Sequence, residues 1–205
     1  MDYRVVLASA SPRRRELLDL LGIEYEVWPS NEEENPKETS PSGICMELSK
    51  MKALSVASMI KSYNENHPDL VVDSDVLVIG ADTIVSIENQ ILGKPKDADD
   101  AVRMLQRLSG NTHSVYTGVT FVFMKGDRVG EYSFYEKTDV TMRELDSDEI
   151  GSYVDTGEPL DKAGAYGIQG KALPFVSRIE GDVANVVGLP VSRMVSELKK
   201  LGVRL

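Results

Sequence analysis

The sequence predicts an α/β fold built on a mixed β-sheet that is flanked by helices. Apolar runs of strand length alternate along the chain with segments of helical periodicity, and two adjacent strand-like runs in the middle form a hairpin. Alternation favours parallel strands, whereas a hairpin joins antiparallel ones, so the sheet should contain both. Hydrophobic residues make up 41% of the 205 residues, which allows a buried core. We expect one domain over residues 1–205, with two lobes around a central cleft.

The first half of the chain is predicted to begin with a short strand at residues 5–7, followed by a helix. Ser11 can cap that helix, Pro12 suits its first position and Gly22 suits its end. The segments that follow are a strand at 25–28, an acidic loop at 31–41, a long helix at 41–63 and a polar surface loop at 64–75.

The second half is predicted to contain an interrupted strand, a hairpin and three helices. The apolar run at 76–79 should stop at Gly80-Ala81-Asp82-Thr83 and resume at 84–87. The remaining elements are a turn at 88–90, a helix between Asp97 and Gly110, hairpin strands at 115–124 and 129–141, a helix that starts with the capping-box spacing of Asp146 and Glu149, strands at 175–179 and 183–187, and a terminal helix over 191–201.

Composition limits the classes of partner. The formal net charge is −10, from 33 acidic residues against 23 lysines and arginines. A general nucleic-acid-binding protein needs a basic face, which this balance argues against, but a few converging cations or a metal can still bind a small anion. The single cysteine, Cys45, cannot form an internal disulfide, and no apolar stretch approaches the length of a membrane span. We therefore expect a cytoplasmic protein without a nucleic-acid or membrane partner.

The strand-loop-helix at residues 5–21 is the first candidate site. Its small loop residues let the backbone approach a ligand, and the helix N-terminus directs free amides and a positive dipole outward. Arg13, Arg14 and Arg15 stand in the first helical turn, where cations are unfavourable against that dipole. A bound anion would offset this conflict, so the segment predicts a phosphate site. The alternative is a solvated basic turn.

Asp82 and Lys94 mark two further candidates. Asp82 follows an apolar strand, and ligand sites in α/β sheets gather at the carboxyl ends of strands. A carboxylate there can hold a divalent metal or orient a water, although it can also serve only a local turn. Lys94 follows the turn at 88–90 closely enough to return beside Asp82, where it would act as a point charge on phosphate. Taken alone, its segment is more typical of a surface lysine.

A glycine-rich loop at residues 157–170 is the fourth candidate. Its sequence is GEPLDKAGAYGIQG, with four glycines among polar residues. Such a stretch indicates a backbone shaped closely around a ligand or, alternatively, an irregular surface loop.

Six segments, taken together and in order, resemble the Maf family. They are SASPRRRELL at 9–18, GADTIV at 80–85, GKP at 93–95, LSGNTHSVYTGV at 108–119, GEPLDKAGAYGIQG at 157–170 and NVVGLP at 185–190. Members of this family are nucleoside triphosphate pyrophosphatases, also called septum-formation inhibitor proteins. The resemblance therefore implies hydrolysis of a nucleoside triphosphate to the monophosphate and pyrophosphate. It also implies the elongated mixed-sheet fold that the family shares with inosine triphosphate pyrophosphatases, and a homodimer, which relatives often form.

The resemblance implies a role for each matched position. Asp82 would be the general base or would orient the attacking water, with a divalent cation (Mg, Mn or Co) bridging it to the phosphates. An acidic residue after the second strand would also hold the metal, and counting from SASPRR places it at Glu34, with Glu32 and Glu33 as adjacent alternatives. The residues that would bind the triphosphate are Ser9, Arg13, Arg14, Lys52 and Lys94.

The segment DKAGAYGIQG resembles the branch of the family that prefers dTTP and UTP, in which Arg13, Thr83 and Gln169 would set the choice of base. The Gln169 amide offers one donor and one acceptor, which match the O4 acceptor and N3–H donor of uracil or thymine. Cytosine reverses that pattern and would leave polar groups unpaired. Modified pyrimidine triphosphates are compatible with the same site. The segment Lys171-Ala172-Leu173-Pro174 departs from the more glycine-rich turn of the family, at the rim of the pocket.

Two other functions are compatible with parts of the pattern. A nucleotidyltransferase also attacks an α-phosphate, but its first strand is followed by a glycine-rich loop, and no glycine stands between Leu7 and Arg13 here. A non-catalytic nucleotide sensor that acts in cell division would bind nucleotides without turnover. Turnover and a requirement for a sugar phosphate distinguish the three functions.

Overall fold

The computed structural model describes residues 3–30, 32–67 and 74–203, and at its centre lies a seven-stranded mixed sheet. The strands are β1 (Arg4–Leu7), β2 (Tyr25–Val27), β3 (Val76–Ile87), β4 (Gln90–Leu92), β5 (Thr112–Lys125), β6 (Arg128–Met142) and β7 (Val176–Glu180). Their order across the sheet is β2-β1-β3-β5-β6-β7. The short strand β4 pairs with the end of β3, on the same edge of β3 as β1. β1 runs parallel to β2 and β3, and the other described pairings are antiparallel. The predicted α/β fold on a mixed sheet is confirmed.

Helices cover both faces of the sheet. They are α1 (Pro12–Asp19), α2 (Pro41–Asn66), α3 (Ala98–Leu108), α4 (Ser147–Val154), α5 (Val183–Val187) and α6 (Val191–Lys200). Val76 and Val78 of β3 pack against α2, whereas Leu77, Ile79 and Ala81 pack on the opposite face against α1 and α6. Among the described residues, no helix is both long and apolar enough to span a bilayer.

The start of α1 differs from the prediction in its cap. Ser11 occupies the N-cap position, but its side chain accepts no hydrogen bond from the helix, so the predicted cap interaction is wrong. The Ser11 amide instead donates a hydrogen bond to the side chain of Ser9, with its nitrogen 3.2 Å from Ser9 Oγ. Among the residues that the structure describes, no side chain caps the first turn of α1. The other predicted caps are confirmed, by Asp97 at α3 and by the capping box of Asp146 and Glu149 at α4.

β3 is one continuous strand of 12 residues, so the predicted break at residues 80–83 is wrong. The reason is its partner β5, which pairs with every residue from Val76 to Ser86 and holds the Gly-Ala-Asp-Thr segment extended. The opposite edge differs, because β1 pairs only as far as Ile79 and β4 only from Val85. Among the described strands, none pairs with residues 80–84 on that edge. Asp82 therefore lies within a strand, beside a gap that the loop after β1 faces.

Residues 183–187 were predicted as a strand and form the short helix α5, so that prediction is wrong. The valine-rich sequence favours a strand locally, but Asp182 caps a helix by accepting from the Ala184 amide at 2.8 Å. Asn185 is fully buried and donates to the Val115 carbonyl oxygen at 3.1 Å. Gly188, at φ +124°, follows the helix. A polar residue that needs buried partners thus decides the conformation against strand propensity.

Two glycines let α2 lie unusually close to the sheet. A Cβ atom on Gly80 would come within 2.3 Å of the Ser49 carbonyl oxygen, and one on Gly118 within 2.3 Å of the Cys45 carbonyl oxygen. Both obstacles are helix backbone, which cannot rotate away as a side chain can. The close approach brings the residues of α2 that follow, including Lys52, directly over β3.

We expect Gly118→Ala to destabilise the protein strongly, because the added methyl group pushes α2 off the sheet. Overpacking of this kind costs about 1–3 kcal/mol, and a backbone obstacle favours the upper end. Thermal unfolding should show a Tm lower by roughly 5–10 °C. Gly130→Ala is the matched control, since a Cβ there meets nothing within 4 Å. Equal Tm values for the two variants would contradict the close packing.

His113 makes the stability dependent on pH. It is 2% exposed, its Nε2 lies 2.6 Å from the Tyr166 hydroxyl, and its Nδ1 has no hydrogen-bond partner among the described residues. Burial lowers its pKa to about 4. The unfolded chain, with a histidine pKa of about 6.5, therefore takes up this proton first as the pH falls. We expect stability to decrease by about 3 kcal/mol between pH 6.5 and 4 from this residue. Urea unfolding should show a shallower decrease for His113→Gln, and equal slopes would refute the assignment.

Candidate functional site

Lys52 lies between two carboxylates at the centre of the site. α2 crosses β3 closely at Gly80, two residues before Asp82. The Lys52 Nζ lies 2.5 Å from Asp82 Oδ1 and 2.8 Å from Glu34 Oε1. The structure thus brings together three residues that the resemblance implied, from a loop, a helix and a strand. Lys52, expected to contact phosphate, here pairs with both carboxylates and leaves one negative charge between them.

Asp82 is a buried carboxylate, 8% exposed. Burial raises its pKa above the ordinary value of an aspartate, and the positive charges of Lys52 and Arg14 oppose that rise. A carboxylate with a raised pKa is a stronger base, and neighbouring cations favour its ionised form. This environment suits a group that accepts a proton from water.

The acidic run before α2 contributes Glu34 to this site. Glu32 turns away, because its Oε1 accepts a hydrogen bond from Ser55 Oγ at 3.1 Å. Glu33 is exposed. Of the three adjacent glutamates that the sequence left open, Glu34 alone pairs with Lys52 in the described structure.

The carboxylates of Glu34 and Asp82 form an incomplete donor set for a divalent cation. Among the described residues, no group of three or more His, Cys, Asp or Glu side chains is placed to hold a metal ion. The two carboxylates nevertheless converge on one positive charge, the Lys52 ammonium. Mg²⁺ is commonly bound by one or two carboxylates together with substrate phosphates and waters. The residues present fit an ion that binds jointly with a phosphate chain.

Arg14 is fixed by three hydrogen bonds from its guanidinium group. Its Nε donates to the Gly188 carbonyl oxygen at 2.8 Å, Nη1 to Ser9 Oγ at 3.0 Å and Nη2 to Thr83 Oγ1 at 3.2 Å. A guanidinium carries five N–H groups, so two remain for a ligand. Burial lowers the pKa of Arg14, and the nearby Asp82 charge opposes this change. The side chain keeps its charge in proteins, which makes Arg14 a rigid positive group at the start of α1.

A chain of hydroxyl groups holds Thr83, and with it Arg14, in place. The Thr117 hydroxyl donates to the Asn185 carbonyl oxygen at 2.9 Å and lies 2.9 Å from Thr83 Oγ1. Thr83 therefore donates to Thr117 and accepts from Arg14. Thr117, Asn185 and Gly188 were not singled out from the sequence, although the segments YTGV and NVVGLP contain them. A lone asparagine within an apolar segment was the available signal.

Arg13 contacts the glycine-rich loop, whereas Lys94 and Gln169 are exposed. Arg13 Nη1 is 3.8 Å from Asp161 Oδ2 in the glycine-rich loop. Lys94 is exposed, and continuing the β3–β4 register past the pair of Val85 and Leu92 places it level with Thr83. Gln169 is exposed on a turn. Neither Lys94 nor Gln169 has a side-chain hydrogen bond to the described residues, so the expected place of Lys94 beside Asp82 stays a prediction.

The glycine-rich loop packs against the far end of β3. The Gly164 amide donates to the Gly93 carbonyl oxygen at 3.0 Å, just before Lys94. Gly164 has φ +68°, and a Cβ there would come within 2.9 Å of Val85. The loop therefore needs glycine at this position. It lies against β3 and β4 and, through Asp161, faces Arg13 of α1.

Together these features indicate an α/β protein that binds a phosphate chain. An uncapped helix N-terminus, two arginines, a lysine and two carboxylates meet beside the free edge of a strand in an α/β fold, which suits a phosphate chain bound with a divalent cation. The chain matches the family described as Maf-like protein over residues 4–201. It belongs to the Maf family, as the six sequence segments indicated.

Three relatives are similar to this chain over almost its whole length, and each is described as a dTTP/UTP pyrophosphatase. The protein from Agathobacter rectalis is 59% identical, covering 98% of both chains. That from Lachnoclostridium phytofermentans is 50% identical, over 99% of this chain and 98% of the relative. That from Bacillus cereus strain G9842 is 49% identical, over 98% and 96%. The solved Staphylococcus aureus Ham1 protein has a TM-score of 0.45 at 14% identity, over 97% of this chain and 99% of that one.

Proposed function

We propose that this chain is a nucleoside triphosphate pyrophosphatase that hydrolyses dTTP and UTP to the monophosphate and pyrophosphate. The observation that carries the proposal is the convergence of Asp82, Lys52 and Glu34, because hydrolysis of a phosphate chain needs a buried base among positive charges. The names of relatives between 49% and 59% identical support the substrate. Modified pyrimidine triphosphates remain within the proposal.

The triphosphate is proposed to bind at the start of α1. The uncapped amides and positive dipole of that helix attract an anion, and Arg14 offers its two remaining N–H groups. Ser9 Oγ already accepts two hydrogen bonds, so its hydroxyl proton is free to be donated to a phosphate oxygen. Arg13 and Lys94 add positive charge from the rim.

Glu34 and Asp82 are the residues that would hold a divalent cation (Mg, Mn or Co) together with the phosphates. Carboxylate donors suit Mg²⁺ or Mn²⁺ best. When bound, such a cation neutralises charge on the phosphates and lowers the pKa of a coordinated water. Lys52 would then share the two carboxylates with the cation, and its ammonium group would turn toward the phosphate oxygens.

Asp82 is proposed to accept the proton of the attacking water. The water oxygen forms a new bond to the α-phosphorus, the bond from that phosphorus to the oxygen bridging the α- and β-phosphates breaks, and the bridging oxygen leaves with pyrophosphate. Arg14 and Lys52 stabilise the negative charge that develops on the phosphates. Arg14 is suited to this because its three hydrogen bonds hold it in position before substrate arrives.

We expect the choice of base to depend on Gln169 more than on the phosphate-binding residues. Its amide pairs with uracil or thymine and leaves cytosine unpaired, and such discrimination is worth roughly 1–3 kcal/mol. Gln169→Ala should therefore lower kcat/KM for UTP about tenfold or more relative to CTP. Arg13→Ala is measured alongside: it should lower kcat/KM for all substrates if Arg13 mainly binds phosphate, or change the ranking of substrates if Arg13 also reads the base. If Gln169→Ala lowers kcat/KM equally for UTP, dTTP, CTP and GTP, the Gln169 amide does not read the base.

Product analysis tests the proposed function. The protein is incubated with Mg²⁺ or Mn²⁺ and a panel of normal and modified triphosphates, and nucleotides and phosphates are separated. We expect monophosphate and pyrophosphate from dTTP and UTP without a sugar phosphate. A requirement for a sugar phosphate would identify a nucleotidyltransferase. Binding of UTP without turnover of any triphosphate would favour the alternative, a nucleotide-binding regulator of cell division.

The same proposal includes a cytoplasmic homodimer that binds neither nucleic acid nor a membrane. The single cysteine and the net charge of −10 support the compartment and the absence of a nucleic-acid partner. The homodimer is implied by the resemblance to the family. Light scattering of the purified protein measures its mass directly.

A further inference from the structure

We infer that Glu158 is a positioning residue for base selection, because its carboxylate joins the two ends of the glycine-rich loop and thereby fixes Gln169. The inference rests on the proposed function, since it names the residue that sets the base-reading geometry of the same site. Glu158 is itself only partly exposed.

The Glu158 carboxylate accepts hydrogen bonds from both sides of the loop. Its Oε1 accepts from the Tyr153 hydroxyl in α4 at 3.1 Å, and its Oε2 accepts from the Lys171 amide at 3.1 Å. Tyr153 is 3% exposed, and burial raises its pKa, so its hydroxyl stays protonated as a donor. One carboxylate thus ties α4 and the start of the loop to the residue directly after its end.

Gly170 leaves the space that this arrangement needs. A Cβ atom there would lie 2.0 Å from Glu158 Oε1 and 2.6 Å from its carboxyl carbon. The backbone of Gly170 is outside the left-handed region, so an alanine could adopt its conformation. The requirement for glycine is therefore one of space: the carboxylate lies directly against the backbone of residue 170.

The residues on both sides of Gln169 are held in place, whereas Gln169 itself is exposed. Ile168, on one side, is 7% exposed within the core, and Gly170, on the other, lies under the Glu158 carboxylate. The backbone of Gln169 is therefore held by a core contact on one side and by Glu158 on the other. Ordering the backbone that carries a base-reading side chain reduces the entropy lost on binding, which strengthens discrimination between bases.

Glu158 can influence the reaction only through the loop. Among the described residues its side chain contacts neither Asp82 nor Lys52 nor Arg14, and its hydrogen bonds go to Tyr153 and Lys171. The backbone carbonyl of Glu158 accepts from Lys162 Nζ at 2.7 Å, which further orders the loop start. Loss of the carboxylate should thus alter the ranking of bases rather than the phosphate chemistry.

Two substitutions break the same contact in different ways. Glu158→Ala removes both acceptor oxygens, and with them the hydrogen bonds to Tyr153 and Lys171. Gly170→Ala keeps Glu158 and displaces its carboxylate, which is the end of a flexible side chain and can move without straining the fold. Gly151→Ala in α4 is the control, because a Cβ there meets nothing within 4 Å.

The test measures kcat/KM for UTP and CTP with wild type, these three variants, Gln169→Ala and the double variant Glu158→Ala/Gln169→Ala. We expect both Glu158→Ala and Gly170→Ala to lower the UTP-to-CTP ratio about fivefold to tenfold, with the control unchanged. The double variant should have the ratio of Gln169→Ala alone, because residues that act through one another are not additive. Unchanged ratios, equal losses on both substrates, or additive losses in the double variant would overturn the inference.

Failure of the proposed function gives a different result. A wild-type protein that binds UTP more tightly than CTP but hydrolyses neither would overturn the hydrolysis alone, and the same ratios are then measured from Kd values by calorimetry. A wild-type protein without preference in either measurement would overturn the inference about Glu158.

Discussion

Asp82→Asn is expected to reduce turnover of UTP by about 10²- to 10⁴-fold, with a further loss if metal binding is weakened. Asparagine keeps the shape of the side chain but can neither accept the proton of the attacking water nor contribute a negative charge to a cation. Because Asp82 is only 8% exposed, solvent water cannot readily take over either role. Steady-state kinetics with UTP and Mg²⁺ measures the effect.

The fold should tolerate this change, because Asp82 is held extended by its pairing with Gly118 of β5 rather than by its side chain. Asp127→Asn is the control, since Asp127 is exposed on the turn between β5 and β6. A variant at Asp82 that melts normally and retains more than about a tenth of the wild-type rate would show that another group is the base.

Lys52→Met should lower kcat by about 10²- to 10³-fold, the size of effect seen when one positioned donor to a developing negative charge is removed. The same substitution should make metal binding tighter, although it slows turnover. Without the ammonium, which lies 2.5 Å from Asp82 and 2.8 Å from Glu34, the two carboxylates repel each other and attract a cation. Electron paramagnetic resonance of Mn²⁺, measured without nucleotide, should show tighter binding.

The control for Lys52 lies two residues away on the same helix. Lys50 pairs with Glu131 of β6, outside the site, so Lys50→Met should leave both kcat and Mn²⁺ binding unchanged. Weaker Mn²⁺ binding by Lys52→Met, together with an intact fold, would mean that Lys52 organises the carboxylates rather than occupying their cation position.

The fold could be predicted where local signals and long-range pairing agree. The predicted β5–β6 hairpin and the caps of α3 and α4 are confirmed because their turn and cap residues are adjacent in sequence. The break predicted at residues 80–83 is wrong because glycine and aspartate favour a turn locally, whereas pairing with β5 keeps β3 extended. Residues 183–187 form a helix for a similar reason, since the partners of Asn185 lie 70 and 47 positions away in the chain.

The structure brings together Glu34, Lys52 and Asp82, which the sequence named as site residues, through contacts that the sequence did not predict. The pairing of Lys52 with both Glu34 and Asp82 joins a loop, a helix and a strand, and no local spacing indicates it. The hydrogen bond from Arg14 to Gly188 spans 174 positions of the chain. Such contacts follow from how α1 and the segment after α5 meet at β3, which requires the folded sheet.

A crystal structure with a non-hydrolysable UTP analogue, in which nitrogen replaces the oxygen between the α- and β-phosphates, tests the central claim most directly. With Mg²⁺ present, we expect the triphosphate at the N-terminus of α1, in contact with Ser9, Arg14 and Lys52. We also expect a cation between the phosphates and the carboxylates of Glu34 and Asp82, and the uracil edge at Gln169. A nucleotide bound elsewhere, or one whose phosphates lie away from Asp82, would contradict the account.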